Sequence, residues 1–229
     1  MAHAAHKLEP SPPIGLPVSG KPRSSTGVPI LWRLFEIVVA LVALVLTSPI
    51  ILVLAIIIRR GTPGRALFFQ PRVGIDGRLF HFVKFRTLYA DARQRFPNLY
   101  AYQYTEETLQ EHKFKVVNDP RVTPQGRWMR TTTLDELPNF WNVLRGDMAL
   151  VGPRPEIPEM LPYYKGKMLL KFSVRPGVTG LAQISGRGRL SFYETAELDV
   201  EYVNKRSVLL DLKIIALTVY KIVTRDGAF

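Results

Sequence analysis

The chain has 229 residues, and its 31 lysines and arginines against 19 aspartates and glutamates give a formal charge of +12. This excess favours an anionic partner, such as a phospholipid surface, a phosphorylated metabolite or nucleic acid, although the long basic runs of a nucleic-acid-binding tail are missing. The absence of cysteine excludes disulfides and thiolate metal sites, and the four histidines lack the spacing of a zinc site.

The N-terminal segment is rich in proline, with serine and glycine between the prolines. This composition cannot bury a hydrophobic core, so we predict a disordered tail over residues 1–30. An extension without a function of its own is the simplest interpretation of it.

An uncharged apolar segment follows, from Ile37 to Ile58. It begins too far into the chain for a cleavable signal peptide, and as a straight helix it would reach roughly 33 Å, just enough to span a bilayer. Pro49 removes a backbone hydrogen bond near its middle, and the Ser48 hydroxyl could take up the freed group. Basic residues flank both sides, so the positive-inside rule gives no orientation. A kinked spanning helix and a helix that enters one leaflet and returns fit these residues equally well.

Two short strands are predicted next, Ala66–Phe69 and Leu79–Phe85, with the turn sequence Gly74–Gly77 between them. Alternation puts Lys84 and Arg86 on the same face, so that two cations would point one way. A solvated face is the simpler interpretation of this pair.

Two amphipathic helices are predicted outside the hairpin. One covers residues 105–115 with Thr105 at its start. The other covers Val208–Val223 and has a polar stripe that includes Asp211 and Thr218, opposite an apolar stripe. The second helix either packs on the domain or lies in the membrane interface, and packing is the default expectation.

Asp135 and Glu136 form an acid pair at the start of another predicted helix. Pro138 fits the first turn of that helix, which places Asp135 at or next to the N-cap. Acids at this position are commonly structural. However, arginines surround the pair in the sequence, and a helix N-terminus lowers the pKa of a carboxylate, which keeps it ionised as a nucleophile or metal ligand. The predicted apolar face of the helix consists of Leu137, Phe140, Trp141 and Leu144.

Several rigid or glycine-rich turns carry arginine. They are Gly152–Pro155, Arg175–Gly177 and Gly186–Arg189. Each alone is typical of a surface turn, but proline holds an arginine with little entropy left to lose on binding an anion. Neither a GxxxxGK[ST] loop nor a GxGxxG unit occurs, so an ordinary nucleotide-triphosphate fold is not expected.

These motifs resemble, in order and spacing, those of the bacterial sugar transferases, the monotopic phosphoglycosyl transferases. The resemblance extends from about Leu31 to the C-terminus. Ala149 stands where the family usually has serine, and the segment 91–118 is longer than in the smallest members. The matching runs are Lys84–Thr87, Asp119–Thr123, Arg130–Pro138, Gly146–Pro155 and Arg175–Gln183.

The resemblance implies an architecture and a location. We expect an α-rich α/β domain with a small sheet over residues 61–229, which would be the catalytic domain. A re-entrant membrane helix over residues 31–60, broken at Ser48-Pro49, and interfacial amphipathic helices would hold this domain on the cytoplasmic face of a bacterial inner membrane.

The resemblance also implies a reaction, the first membrane step of surface glycan assembly. A sugar-1-phosphate would pass from a UDP-sugar to polyprenyl (undecaprenyl) phosphate through a phosphosugar bound covalently to Asp135, with release of UMP. Glu136 would hold Mg²⁺ together with Asp135. The other residues expected to bind substrate or phosphate are Lys84, Arg86, Arg130, Arg154, Arg175, Gln183, Asp199 and Tyr202.

Two alternatives stay open at this point. The protein could hydrolyse a lipid diphosphate, or it could be a membrane-anchored basic scaffold that binds nucleic acid. The scaffold explains the charge but not the acid pair among rigid turns. For the transferase we expect a UDP-sugar, polyprenyl phosphate and inner-leaflet phospholipids as partners and no nucleic acid, and the sequence leaves a homodimer and the identity of the sugar open.

Overall fold

The computed structural model of the chain describes residues 29–112, 118–186 and 189–224. Most of the tail predicted over residues 1–30, and two residues of the predicted Gly186–Arg189 turn, lie outside this part. The first element, helix α1, covers Ile30–Gly61 and contains the predicted membrane segment. Among the described helices, it alone is long and apolar enough to cross a membrane by length and composition.

Helix α1 continues through Pro49, so the structure has one helix where the sequence predicted an interruption. Because Pro49 has no N–H, the carbonyl of Val45 loses its usual helical donor. The Ser48 hydroxyl donates to this carbonyl at 2.7 Å. The role predicted for the Ser48 side chain is therefore confirmed.

Both ends of α1 pack on the same globular part of the chain. Near the N-terminal end, Glu36 is buried and accepts a hydrogen bond from the Leu150 N–H at 3.1 Å. Near the C-terminal end, Leu54 and Ile58 are buried in a hydrophobic cluster with Phe85. Most apolar side chains between these two contacts are exposed. The middle of α1 is therefore an uncovered apolar surface.

Strands β1 (Leu67–Val73) and β2 (Leu79–Phe85) form the predicted antiparallel hairpin, joined by a 3-10 turn. Strand β1 is longer than predicted, because it runs through Pro71. Proline is tolerated on an edge strand, where its missing N–H breaks no ladder. The register pairs Phe68 with Lys84 and Arg72 with Phe80, which puts Arg72 and Lys84 on one face of the hairpin.

The rest of the chain is mostly helical, as predicted. Besides the hairpin, the described residues contain one small sheet, in which β3 (Ala149–Val151) pairs in parallel with β4 (Gly177–Thr179). Short 3-10 segments cover Pro97–Tyr100, Leu134–Glu136, Pro158–Tyr163 and Gly166–Ser173. The other helices are α2 (Ala92–Arg95), α3 (Glu106–Glu111), α4 (Pro124–Thr132), α5 (Asn139–Arg145), α6 (Leu181–Gly186), α7 (Phe192–Lys205) and α8 (Val208–Thr224).

Most of the predicted apolar face of helix α5 packs inward, since Leu137, Phe140 and Leu144 lie against hydrophobic clusters; Trp141 is the exception. Trp141 is 51% exposed, whereas Asn139 and Asn142 are buried. The Asn142 side chain donates to the His81 carbonyl at 2.7 Å and accepts from the Val83 N–H at 3.0 Å. These two hydrogen bonds attach α5 to β2. The prediction that Trp141 packs inward is therefore wrong, since hydrogen bonding to the hairpin fixes the rotation of the helix.

Helix α8 packs on the domain through Ile214, which is fully buried in the hydrophobic core, and through its polar stripe. Asp211 is buried and accepts a hydrogen bond from the Tyr202 hydroxyl at 2.8 Å, and the Thr218 hydroxyl lies 2.7 Å from that of Thr179. Apolar residues such as Leu209, which is 79% exposed, face outward. The default expectation, that this helix packs on the domain, is therefore confirmed, although most of its apolar stripe is exposed. An outward apolar face is typical of an interfacial helix.

Candidate active site

Asp135 lies in the 3-10 turn Leu134–Glu136, between α4 and α5. The turn is created by Thr133, whose φ of +62° ends α4 in the left-handed region, a conformation that costs a non-glycine residue roughly 1–2 kcal/mol. Helix α5 begins later, with Pro138 as its N-cap residue. The position predicted for Asp135, at or next to that N-cap, is therefore corrected: a separate, buried turn presents it.

The carboxylate of Asp135 is buried but unpaired. Asp135 is 7% exposed, and the described residues offer it no direct hydrogen-bond or ion-pair partner. Its electrostatic neighbours are the cations Lys84, Arg130 and Arg154. These come from β2, from α4 and from the loop after β3. Three separate elements thus bring three predicted residues to the predicted nucleophile.

Burial and the adjacent Glu136 raise the pKa of Asp135 to about 6, against a lowering by the three cations. The predicted lowering of this pKa is wrong, because desolvation of a buried carboxylate disfavours its charged form. At neutral pH most molecules still carry an ionised Asp135. Burial, followed by the charge of Arg72, lowers the pKa of Lys84 to about 8. The site therefore contains an acid and a base that titrate on either side of neutrality.

Glu136 is held by Arg154. The Arg154 Nη2 lies 2.6 Å from the Glu136 Oε1, and this carboxylate raises the pKa of the guanidinium. Two adjacent carboxylates suit Mg²⁺, which prefers oxygen ligands and is commonly bound by one or two carboxylates together with phosphate oxygens. The described residues contain no group of three or more histidines, aspartates or glutamates that could hold a metal by themselves. Asp135 and Glu136 therefore fit a magnesium ion that is completed by a phosphorylated substrate.

Arg72 is a site residue that the sequence analysis missed. Its Nη1 donates to the Pro155 carbonyl at 2.8 Å, and it has electrostatic interactions with Lys84, Arg154 and Glu136. Burial lowers its pKa to about 10. The sequence does contain an indication of this role, because Arg72 shares a face with Lys84 when β1 is extended through Pro71.

Arg130 links the acid pair to a second set of residues. Its Nε donates to the Thr87 hydroxyl at 3.0 Å, and its Nη1 lies 3.8 Å from the Asp119 carboxylate. Asp119 is also paired with Arg121, whose Nε lies 2.9 Å away. Arg130 therefore connects the motif around Asp119 with the acid pair.

Arg86, predicted with Lys84, lies elsewhere. Its guanidinium donates to three carbonyls just after α1, those of Thr62, Pro63 and Arg65. Arg86 follows the last residue of β2, and no described contact joins it to Asp135. These hydrogen bonds connect the hairpin to the loop that follows α1.

Asp199 and Tyr202 lie on the buried side of α7. Asp199 forms an ion pair with Lys171 at 3.0 Å, and the Tyr202 hydroxyl donates to the Val151 carbonyl and to Asp211. Neither is joined to Asp135 by a contact that the structure describes. Both side chains therefore interact within the core.

Arg175 and Gln183 are also separate from the acid pair in the described part of the chain. Arg175 is half-buried, and its electrostatic neighbours are Arg33, Glu36 and Arg206, near the N-terminal end of α1. The side-chain amide of Gln183 is buried with no hydrogen-bond partner among the described residues.

A buried carboxylate surrounded by cations, with a second carboxylate beside it, is an arrangement that suits phosphoryl groups. Residues 28–225 match the family described as bacterial sugar transferase. The chain belongs to this family.

Curated relatives agree with this assignment. The chain is 40% identical to the galactosyl transferase CpsE of Streptococcus agalactiae, over 86% of this chain and 43% of the relative. It is 37% identical to the undecaprenyl-phosphate galactose phosphotransferase of Salmonella typhimurium, over 87% of this chain and 42% of the relative. Against the uncharacterized sugar transferase EpsL of Bacillus subtilis, it is 40% identical over 86% of this chain and 90% of the relative. The chain thus spans about two-fifths of the first two relatives and most of EpsL.

Proposed function

We propose that this protein transfers a sugar-1-phosphate from a UDP-sugar to undecaprenyl phosphate. The observation that carries the proposal is the buried, unpaired carboxylate of Asp135 among Lys84, Arg130 and Arg154. Donor and acceptor follow from the names of relatives, which include a UDP-glucose:undecaprenyl-phosphate glucose-1-phosphate transferase of Escherichia coli that is 36% identical. The sugar itself is left open.

In the first step, a carboxylate oxygen of Asp135 attacks the β-phosphorus of the donor. The bond between this phosphorus and the oxygen that bridges to the α-phosphate breaks, and UMP leaves with the bonding electrons. The sugar phosphate is then joined to Asp135 as an acyl phosphate. A carboxylate suits this role because covalent catalysis divides one difficult displacement into two easier ones.

In the second step, an oxygen of the lipid phosphate attacks the same phosphorus. The acyl phosphate bond breaks, Asp135 recovers its carboxylate, and the product is a polyprenyl diphosphate sugar. Lys84, Arg130 and Arg154 lie where they can neutralise the phosphoryl oxygens in both steps. Bound Mg²⁺, held by Asp135 and Glu136, would supply further charge neutralisation at the phosphates.

The packing of α1 supports a re-entrant arrangement at a membrane. A straight helix of this length would extend about 48 Å, and a spanning helix would carry one end across a hydrocarbon core about 30 Å thick. Instead, Glu36 and Ile58 both contact the same globular part, which must remain in water. Exposed apolar side chains on α1, α8 and β1 supply a surface that suits lipid. We therefore infer that the domain sits on one face of the membrane, which must be the cytoplasmic face if the donor is a UDP-sugar.

The decisive experiment incubates the purified full chain with a panel of UDP-sugars, Mg²⁺ and undecaprenyl phosphate. We expect UMP release that requires the lipid phosphate, together with a lipid-linked sugar phosphate as product. The Asp135→Asn variant should lose about 10⁴-fold or more in turnover, as is typical when a nucleophile is removed, and Asp135→Glu nearly as much. Full activity in Asp135→Asn would end the proposal.

Two further measurements separate the alternatives. A lipid-diphosphate hydrolase would release inorganic phosphate from the lipid diphosphate and form no lipid-linked sugar. A UDP-sugar labelled at the β-phosphate should leave label on the wild-type protein when the acceptor is omitted, and none on Asp135→Asn.

The re-entrant arrangement has its own test, because the chain contains no cysteine. Single cysteines introduced at positions 25 and 65 should both react with a membrane-impermeant thiol reagent from the cytoplasmic side. Reaction of one of them only from the opposite side would establish a spanning helix.

A further inference from the structure

A polar groove of about 490 Å³ opens beside the N-terminal half of α4. This volume lies within the range of small-molecule sites. One side is formed by Tyr89, just after the hairpin, and the other by residues that lead into α4. The residues that line the groove are Tyr89, Asn118, Asp119, Pro120, Val122, Pro124 and Arg127.

Backbone contacts fix the two sides of the groove to each other. The Tyr89 N–H donates to the Arg121 carbonyl, and the Thr123 N–H donates to the Thr87 carbonyl, each at 3.0 Å. A Cβ atom on Gly126 would lie 2.1 Å from the Thr87 carbonyl oxygen, so only glycine permits this approach of α4. The groove is therefore preformed by the fold, which lowers the entropic cost of binding a ligand.

The groove reaches the acid pair through Arg130. Arg127 and Arg130 are three residues apart on α4, so they lie on neighbouring positions of one helix face. Arg130 contacts the groove residue Asp119 at 3.8 Å, and its charge acts on Asp135. A ligand that extends from Asp135 past Arg130 thus enters the groove at Arg127.

The lining suits a nucleoside monophosphate. The guanidinium of Arg127 has no hydrogen-bond or ion-pair partner among the described residues, which leaves its donors for a phosphate. Arg121 neutralises the one lining carboxylate, Asp119, so the groove does not repel an anion. The ring of Tyr89, with the Arg95 guanidinium 4.9 Å from its centroid, is a platform of the kind on which bases stack.

We propose that this groove binds the nucleoside monophosphate portion of the sugar donor, with its phosphate at Arg127 and Arg130 and its base at Tyr89. The proposal rests on the proposed function, because the transferred phosphoryl group must lie at Asp135 while the departing nucleotide extends away from it. It also gives a role to part of the segment 91–118, whose residue Arg95 supports the platform.

The test measures binding of UMP by calorimetry, using the full chain with Asp135→Asn, which cannot form the covalent intermediate. Arg127→Gln should raise the Kd of UMP about tenfold, as expected for loss of a charge-assisted hydrogen bond. Tyr89→Ala should raise the Kd of UMP about tenfold as well but leave that of ribose 5-phosphate unchanged, since only UMP carries a base. Tyr89→Phe, which keeps the ring, should bind UMP like the parent.

Arg78→Gln is the matched control, because Arg78 is an exposed arginine at the far end of the hairpin, and this variant should bind UMP normally. Unchanged UMP affinity in both Arg127→Gln and Tyr89→Ala overturns the proposal. If no UDP-sugar supports transfer but UMP binding still depends on these two side chains, the transferase function fails and the nucleotide site stands. If transfer occurs and neither substitution raises the KM for the UDP-sugar, the site fails and the transferase stands.

Discussion

Two buried clusters of charged side chains differ in how completely they are paired. Around Lys171, the Nζ atom lies 3.0 Å from the Asp199 carboxylate and 3.8 Å from that of Glu156, and Tyr164 donates to Glu156 at 2.7 Å. Around Asp135, the cations act from a distance and none forms a direct contact. The carboxylates of the first cluster have a direct ion-pair partner in Lys171, whereas Asp135 in the second has none among the described residues and is left for a ligand.

This difference in pairing suggests that the Lys171 cluster supports the fold and that the Asp135 cluster binds a ligand. A buried carboxylate with an ion-pair partner is compatible with a structural role, while one without a partner is energetically unfavourable and is typical of functional sites. The Lys171 cluster lies beneath the loop that carries Arg154, since Glu156 is two residues further along and its carbonyl accepts from the Val73 N–H at 2.8 Å. We therefore interpret Asp199 as part of the support for Arg154 and not as a contact for substrate.

The largest effect on stability is expected from Lys171→Met. Removing the cation leaves two buried carboxylates, those of Glu156 and Asp199, without charge compensation, and breaking such a pair typically costs about 3–5 kcal/mol. Chemical denaturation should show this loss, and the double variant Lys171→Met with Asp199→Asn should recover part of it. A loss below about 1 kcal/mol, the level of a surface pair, would contradict this interpretation.

Asp135→Asn should have the opposite effect and stabilise the protein. The pKa of Asp135 is raised from 3.8 to about 6 in the folded state, so its ionised form disfavours folding, and the penalty builds up as pH rises from about 4 to 6. At pH 7 the Asn variant should be more stable by about 1–3 kcal/mol, and this advantage should vanish below about pH 4.

Asp91→Asn provides the comparison for Asp135→Asn. Asp91 is partly exposed and pairs with Arg95 near the surface, so its replacement should change stability by less than about 1 kcal/mol. Equal effects of the two substitutions at pH 7 would show that the burial of Asp135 carries no energetic penalty.

Local patterns predicted the parts of the fold that depend on neighbouring residues. Alternation around a glycine-rich turn predicted the hairpin, and apolar spacing predicted α8 to within one residue of its observed end at Thr224. Helix rotation was less predictable, because it depends on contacts distant in sequence. Asn142 forms hydrogen bonds with β2, which is distant in sequence. No pattern within α5 indicates that these bonds, and not burial of Trp141, determine the rotation of the helix.

The candidate site was predictable where charge and sequence motif coincided. Lys84, Arg130 and Arg154 converge on the acid pair as expected. Arg86 did not follow, because it lies past the end of β2, where alternation no longer determines direction, and its guanidinium donates to carbonyls in the loop after α1. Arg72 was missed because Pro71 normally marks the end of a strand.

A further comparison concerns the pH dependence of activity and two groups within the site. In the proposed mechanism, Asp135 must be ionised to attack phosphorus, so kcat/KM should fall about tenfold per unit as pH drops below about 6. Lys84 must be protonated to neutralise a phosphate, so kcat/KM should fall again as pH rises above about 8. The resulting profile is bell-shaped.

The variant Lys84→Arg tests whether the fall in kcat/KM above pH 8 is caused by Lys84. Because an arginine stays protonated throughout this range, the substitution should abolish the fall above pH 8 while leaving the fall below pH 6 in place, even if the maximal rate declines. Persistence of the alkaline limb in Lys84→Arg would assign that limb to another group. Because no described contact joins Lys171 to Asp135 or Lys84, a Lys171→Met variant that still folds should retain both limbs, which would distinguish the two clusters.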